Sequence, residues 1–204
     1  MICASIKVQK MSDAIDKLEK VPNEYDLVEI WINEIQDLNV NLLKEKTKNL
    51  LLIKLTDVSD QKLLEEIFGD GFDYVDIDMK DLAVVSQFKG RAKLIASYHD
   101  LEKTPTFEEA KEIVRKMREA GADICKLIFH ANKCEDCFVP LQLLKQSDKP
   151  LITFCMGEKG RLSRFLGAQC GCLINYVAPE ESWKTAEGQF TLEEWRKIQA
   201  VLFK

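Results

Sequence analysis

A closed (β/α)8 barrel, built from residues 1–204 as a single domain, is the fold class that the sequence predicts. Eight short β-type runs recur along the chain, and each is followed by a segment of helical periodicity. Strands alternating with helices imply parallel βαβ units. Spread over eight units, 204 residues leave about 25 apiece. That is room for roughly five strand residues, eleven helical ones and two short loops, at the small end of the barrel's usual range.

The strand-like runs cover 2–8, 26–32, 50–56, 74–79, 92–98, 124–129, 150–156 and 172–177. The helical patterns lie near 11–20, 38–47, 60–68, 80–87, 107–120, 135–145, 158–167 and 191–202. Thr106-Phe107-Glu108-Glu109 reads as a capping box opening the fifth helix, which stops before Gly121. Thr191-Leu192-Glu193-Glu194 opens the last helix in the same way. No low-complexity tract or linker divides the chain.

Composition narrows the function classes. Hydrophobic residues make up 46% and charged ones 31%, the balance of a globular protein rather than a disordered one. With 29 basic against 34 acidic side chains the net charge is −5, so no basic stripe is available to neutralise nucleic-acid phosphates. No apolar run approaches the ~20 residues of a membrane span. The opening Met1-Ile2-Cys3-Ala4-Ser5-Ile6-Lys7 lacks the layout of a signal peptide. An odd count of 7 cysteines without an export signal predicts free thiols in the cytoplasm. Only 9 glycines are present, and neither a GxGxxG nor a P-loop appears. No cofactor is implied.

In a barrel, alternate strand residues face inward, and the carboxyl ends of the strands carry the chemistry. Val28, Ile30 and Ile32 form the outward apolar set of the second strand, which sends Glu29 and Trp31 inside. The same parity turns Lys54 and Thr56 of the third strand inward, with Asp76 and Asp78 of the fourth. In the sixth strand Cys125, Leu127 and Phe129 pack outward and Lys126 points in. A lysine inside a barrel must be paired or held neutral. It is either one half of a structural ion pair with the inward acids, or an amine nucleophile made reactive by a lowered pKa.

Ser97-Tyr98-His99-Asp100, Lys103-Thr104-Pro105-Thr106 and Gly121-Ala122-Asp123-Ile124-Cys125-Lys126 resemble the type I 3-dehydroquinate dehydratases. The likeness continues through Pro150-Leu151-Ile152-Thr153, Met156-Gly157, Ser163-Arg164-Phe165-Leu166-Gly167 and Thr185-Ala186-Glu187-Gly188-Gln189. It is strong from residue 92 onward and weak over the first 70. That resemblance implies a (β/α)8 catalytic domain that dehydrates 3-dehydroquinate to 3-dehydroshikimate, in the shikimate pathway, through a Schiff base. Lys126 matches the lysine that attacks the C3 ketone. His99 matches the general acid/base that takes the C2 proton and helps water leave C1. Arg164 and Gln189 match the grip on the substrate carboxylate, and Thr185 stands where the family usually has a serine on a closing loop. Ser5 and Glu29 match binding positions on the first two strands. Oligomeric state is left open, with a homodimer among the options.

The departures lie on the second and third strands. Where the family reads Glu-x-Arg-x-Asp, this chain has Glu29-Ile30-Trp31-Ile32-Asn33, which puts Trp31 at a substrate-facing arginine position. The third strand's terminal arginine is replaced by Thr56. Asp60 occupies the register of the glutamate that orients the histidine, without the expected Gly-Gly after it. Lys54, where the family has a threonine, is an added inward cation that could compensate in part for the two arginines. Two other readings follow: a Schiff-base lyase for another small oxo-acid, resembling a class I aldolase, or a non-catalytic relic that binds a metabolite. His130, Cys134, Cys137, Cys155, Cys170 and Cys172 would be the donors of a zinc site, but small buried thiols are the commoner explanation, and no metal is expected.

Overall fold

The computed structural model of the protein describes residues 1–69 and 71–202. The first half runs β1 (Ile2–Ile6), α1 (Met11–Lys20), β2 (Leu27–Trp31), α2 (Val40–Lys46), β3 (Leu50–Lys54), α3 (Gln61–Gly69), β4 (Tyr74–Asp78) and α4 (Leu82–Val85). The second half runs β5 (Lys93–His99), α5 (Phe107–Glu119), β6 (Ile124–His130), α6 (Phe138–Gln146), β7 (Leu151–Met156), α7 (Arg161–Gln169), β8 (Asn175–Ala178), β9 (Phe190–Thr191) and α8 (Leu192–Leu202). Every pairing is parallel: β1 to β7 are neighbours in chain order and β8 joins the free side of β1. This is the (β/α)8 architecture.

Both faces of such strands are covered, so they read as nearly unbroken aliphatic runs. The outward set, Val28, Ile30 and Ile32 with Cys125, Leu127 and Phe129, is buried between sheet and helices. The Cys125 thiol reaches the Val114 carbonyl of α5, which fixes that side of β6 as the helix side. Helix α1 meets the sheet through Met11, Ala14 and Leu18, spaced along one face.

Two elements differ from expectation. The fourth helix, expected over 80–87, keeps only Leu82–Val85 as α-helix, with 3-10 turns at Met79–Asp81 and Ser86–Phe88 on either side. β-branched Val84 and Val85 are poor helix formers, and Phe88 stacks on Phe68 of α3 with ring centroids 4.7 Å apart. The eighth strand, expected over 172–177, begins only at Asn175. Val177 and Ala178 pair with the two-residue β9, which takes the ladder position that β7 would fill. Between β7 and the segment leading into β8, Leu173 N–H still donates to Leu151 O at 3.0 Å. Phe154 meets Tyr176 edge-to-face at 6.1 Å across the same seam. A hydrogen-bonded ladder closed all the way round, as the sequence predicts, is therefore not what forms; side chains complete the seam.

The capping box at α5 is present in full. Thr106 Oγ1 accepts the Glu109 N–H at 3.3 Å, and Glu109 Oε2 accepts the Thr106 N–H at 2.8 Å. Thr106→Ala removes the side-chain half of that exchange and should destabilise the fold by about 1 kcal/mol. Urea unfolding checks this, and an unchanged midpoint would show that the cap carries no stability.

Candidate active site

Inside the barrel, four charged side chains from four strands meet. Lys54 Nζ lies 2.7 Å from Asp76 Oδ1, and Lys126 Nζ lies 2.7 Å from Asp76 Oδ2. Lys126 also donates to Glu29 Oε1 at 3.1 Å and to the Tyr176 hydroxyl at 2.9 Å. Glu29 Oε2 accepts from Ser5 Oγ at 2.5 Å and from the Trp31 indole N–H at 3.0 Å. Lys54 gives another proton to Ser97 Oγ, 2.9 Å away, and Ser97 passes its own to the Ile77 carbonyl. Glu29, Lys54, Asp76 and Lys126 are 0–5% exposed, so each charge depends on the others for the solvation it has lost.

The ionisation of the cluster follows from this pairing. Burial opposes the charge on Asp76, but the two ammonium groups outweigh it and hold the carboxyl well below the usual range. Glu29 is lowered in the same contest, between burial and the Lys126 charge. Burial alone would lower Lys126, yet Asp76 and Glu29 raise it above an ordinary lysine. Of the two readings that the sequence leaves open for Lys126, the resting site shows the ion pair with the inward acids and not an amine with a lowered pKa. The two flanking acids make Lys126 a firmly protonated ammonium.

His99 ends β5 on the same inward face. Ser97 shares its rung with Lys126, and His99 stands two residues further on, roughly 7 Å nearer the rim. The protein packed around the ring, then the charges of Lys126 and Lys54, pull its pKa down to about 4. At neutral pH it is an uncharged imidazole facing an ammonium.

These groups floor a cavity of about 410 Å³ whose wall includes Trp31, Thr56, Ile128, Phe154, Met156 and Thr185. At one side sits Arg164 of α7, buried, its guanidinium 4.2 Å above the Phe154 ring. One of its nitrogens donates to the Glu187 carbonyl at 3.2 Å, while Nε has no partner. Burial pulls the pKa of Arg164 down to about 10, which leaves it protonated at neutral pH. Gln189 spends its carbonyl on the Thr185 N–H at 2.9 Å, and its buried Nε2 also lacks a partner. Two unsatisfied donors, one of them cationic, line one cavity. Buried donors are rarely left so, and a carboxylate would satisfy both.

Comparison with known proteins converges on one family. The profile described as Type I 3-dehydroquinase matches residues 2–204. The chain belongs to the type I 3-dehydroquinase family. A 3-dehydroquinate dehydratase from Desulfotalea psychrophila is 30% identical, the match covering 98% of this chain and 96% of the relative. One from Pyrococcus abyssi is also 30% identical, over 99% of this chain and 98% of the relative. The crystal structure of the Aquifex aeolicus 3-dehydroquinate dehydratase superposes with a TM-score of 0.78 at 25% identity, covering 100% of this chain and 99% of that one.

The structure brings together most of the residues singled out from the sequence. Glu29, Trp31, Lys54, His99, Lys126, Arg164, Thr185 and Gln189 all line the cavity. Ser5 does not; it lies behind Glu29 and holds that carboxylate. Asp60 is also elsewhere. Its carboxylate accepts the Leu63 N–H at 3.1 Å and caps the start of α3, so it does not orient His99. Thr56 gives its N–H and hydroxyl to Asn33 Oδ1, tying the ends of β2 and β3 together. The thiols do not converge on a metal: Cys134 is exposed, while Cys137, Cys155 and Cys172 are buried, and no metal-holding group of three or more side chains is found among the described residues.

Tyr176 and the bridging role of Asp76 were missed. Tyr176 presents its hydroxyl to Lys126 and sets its ring 4.5 Å from the same ammonium. Strand parity in β8 would have turned Tyr176 inward opposite outward Val177, had the strand been used for that purpose. Lys80 also lines the cavity, but it lies in the turn after β4, where alternation gives no signal.

In a His130→Asn background, which leaves His99 as the one histidine of two, its ring signals should titrate near pH 4 by NMR. A midpoint near the ordinary ~6.5 would mean that neither lost solvation nor the lysine charges act on the ring.

Proposed function

We propose that this chain dehydrates 3-dehydroquinate to 3-dehydroshikimate, a carbon–oxygen lyase step of the shikimate pathway, through an imine on Lys126. The observation that supports this best is the sharing of one cavity by a buried lysine, a neutral histidine beyond it on the same inward face, and the unpartnered Arg164 and Gln189 donors. Lys126 gives up a proton, which ends on the carbonyl oxygen, and its freed lone pair attacks C3; a second proton passes from the nitrogen to that oxygen, which can then leave as water. Loss of water from that adduct leaves an iminium, which acidifies the C2 hydrogen. His99, uncharged, accepts that proton, and the freed electron pair moves toward nitrogen. When the pair returns it expels the C1 hydroxyl, which the His99 imidazolium protonates to water. Hydrolysis of the product imine restores Lys126. Arg164 and Gln189 fix the substrate carboxylate, which places C3 and C2 over the lysine and the histidine.

A second reading, a Schiff-base reaction on another small oxo-acid, is favoured by the β2–β3 wall. There Trp31 turns its N–H to Glu29 and Ser5, and Thr56 is tied to Asn33. No guanidinium stands there to meet ring hydroxyls. Turnover of 3-dehydroquinate separates the two readings.

With 3-dehydroquinate and borohydride, intact mass should show one reduced adduct, and Lys126→Ala should lose it. An adduct that survives would move the nucleophile elsewhere, Lys54 first. His99→Ala should slow dehydration severely and still be trapped, because carbonyl attack needs the base less than elimination does. Arg164→Met should lower kcat/KM roughly ten- to a hundred-fold through loss of a charged hydrogen bond. An unchanged value would remove Arg164 from the carboxylate site.

A further inference from the structure

Lys54 is the cation of the buried cluster that the proposed mechanism leaves without a task. Its geometry gives it one. Asp76 has two carboxylate oxygens; Oδ1 is taken by Lys54 and Oδ2 by Lys126, each at 2.7 Å. Two cations therefore share one anion, and Glu29 is the second carboxylate on Lys126. The four formal charges sum to zero. Without Lys54 the cluster would be Lys126 against two buried carboxylates, with net charge −1, and Asp76 Oδ1 would lose its partner.

We propose that Lys54 is a positioning residue for Lys126: by occupying one oxygen of Asp76 and repelling the second ammonium, it holds the carboxylate in place and makes the Lys126 proton easier to release. This rests on the Lys126 imine mechanism. A lysine nucleophile between two acids is protected against reaction, and a second cation sharing one of those acids relieves the protection. The Ser97 hydroxyl and the shared carboxylate hold the Lys54 ammonium in the cavity floor, where it acts on Lys126 through Asp76.

Asp78 at the end of β4 and Lys80 in the turn after it also line the cavity, and the remaining ionisable groups around Lys126 keep one charge state across the working range. From β1 and β8, Cys3 and Tyr176 are pushed up by burial and stay neutral. On β2 and β4, Glu29 and Asp76 stay charged, both lowered by Lys126. On β5, His99 is uncharged above about pH 4. Arg164, across the cavity, keeps its charge to about pH 10.

The test is the pH dependence of Lys54→Met. The acid limb of kcat/KM should move alkaline by about one to two pH units, so activity at neutral pH falls roughly ten- to a hundred-fold and recovers at higher pH. Lys54→Arg should restore the limb. The double variant Lys54→Met with Asp76→Asn, which returns the cluster to zero net charge, should bring it back toward the parent position. A substrate-free readout keeps this apart from the imine reading: acetylation of Lys126 by acetic anhydride, followed across pH by peptide mass, should show the same alkaline shift in Lys54→Met. If acetylation shifts but borohydride traps nothing on Lys126, the imine reading fails and the electrostatic role stands. If the acetylation profile of Lys126 stays put, the proposal is overturned even where the acid limb moves, because Lys54 also lowers His99 and its loss would shift that limb by itself. It is overturned equally by a loss of activity that is constant across pH, which would make Lys54 a substrate contact or a purely structural group.

Discussion

Neutrality inside the barrel is the constraint on which the site depends. Two ammonium and two carboxylate groups stand within the strand ring, and Asp76 is fully buried. No one of them is tolerable alone, because an uncompensated charge there costs several kcal/mol. Together they form a chain in which Asp76 bridges two lysines and Glu29 is held by Lys126, Ser5 and Trp31. Aliphatic strands could fold without this chain. Its presence means the barrel spends stability on keeping a lysine poised, protonated and oriented, at the point where the cavity begins.

The pairing also explains why the cavity is polar at the floor and why its unpartnered buried donors lie together at one wall. Every acceptor oxygen of Glu29 and Asp76 is engaged by the chain's own donors. Unused hydrogen-bonding capacity is instead found at Arg164 and Gln189, both donors and both buried. A ligand that brings a carboxylate to that wall replaces lost hydration on both. One that brings a hydroxyl to the β2–β3 wall meets an indole and a threonine already committed to neighbours.

Most of this was legible because barrels impose two simple rules, strand–helix alternation and inward parity. Those rules place Glu29, Lys54, Asp76 and Lys126 in one interior, and the family motifs add His99, Arg164 and Gln189. What they could not give was non-local. Parity says that Lys126 faces in, but its protonation depends on which acids reach it, and two of them do. Asp60 shows the opposite failure: a register match suggested a role near His99, while a local preference, the capping of α3, claimed the side chain. The seam at β8 was illegible for the same reason. Whether Val177 and Ala178 pair with β7 or β9 is decided by a two-residue strand thirteen positions later, too short to register as a periodic pattern.

The substitutions at Trp31, Thr56 and Lys54 are best understood together, as one redistribution of charge. Arginines at the first two positions would add two cations to a cluster that already contains Lys54, leaving its sum positive. In this chain the sum is zero, with Lys54 inside and neutral side chains above it. The cation stands at the floor, where it shares Asp76 with Lys126, rather than on the β2–β3 wall. Trp31 fits that placement: its N–H completes the coordination of Glu29 without adding charge, and Lys7 covers the outer face of its ring at 4.6 Å. A guanidinium at the same place would compete with Lys126 for Glu29. On the proposed reading, the β2–β3 side of the site gives up recognition of hydroxyls for control of the lysine, and Arg164 on α7 is left to carry most of the substrate's orientation.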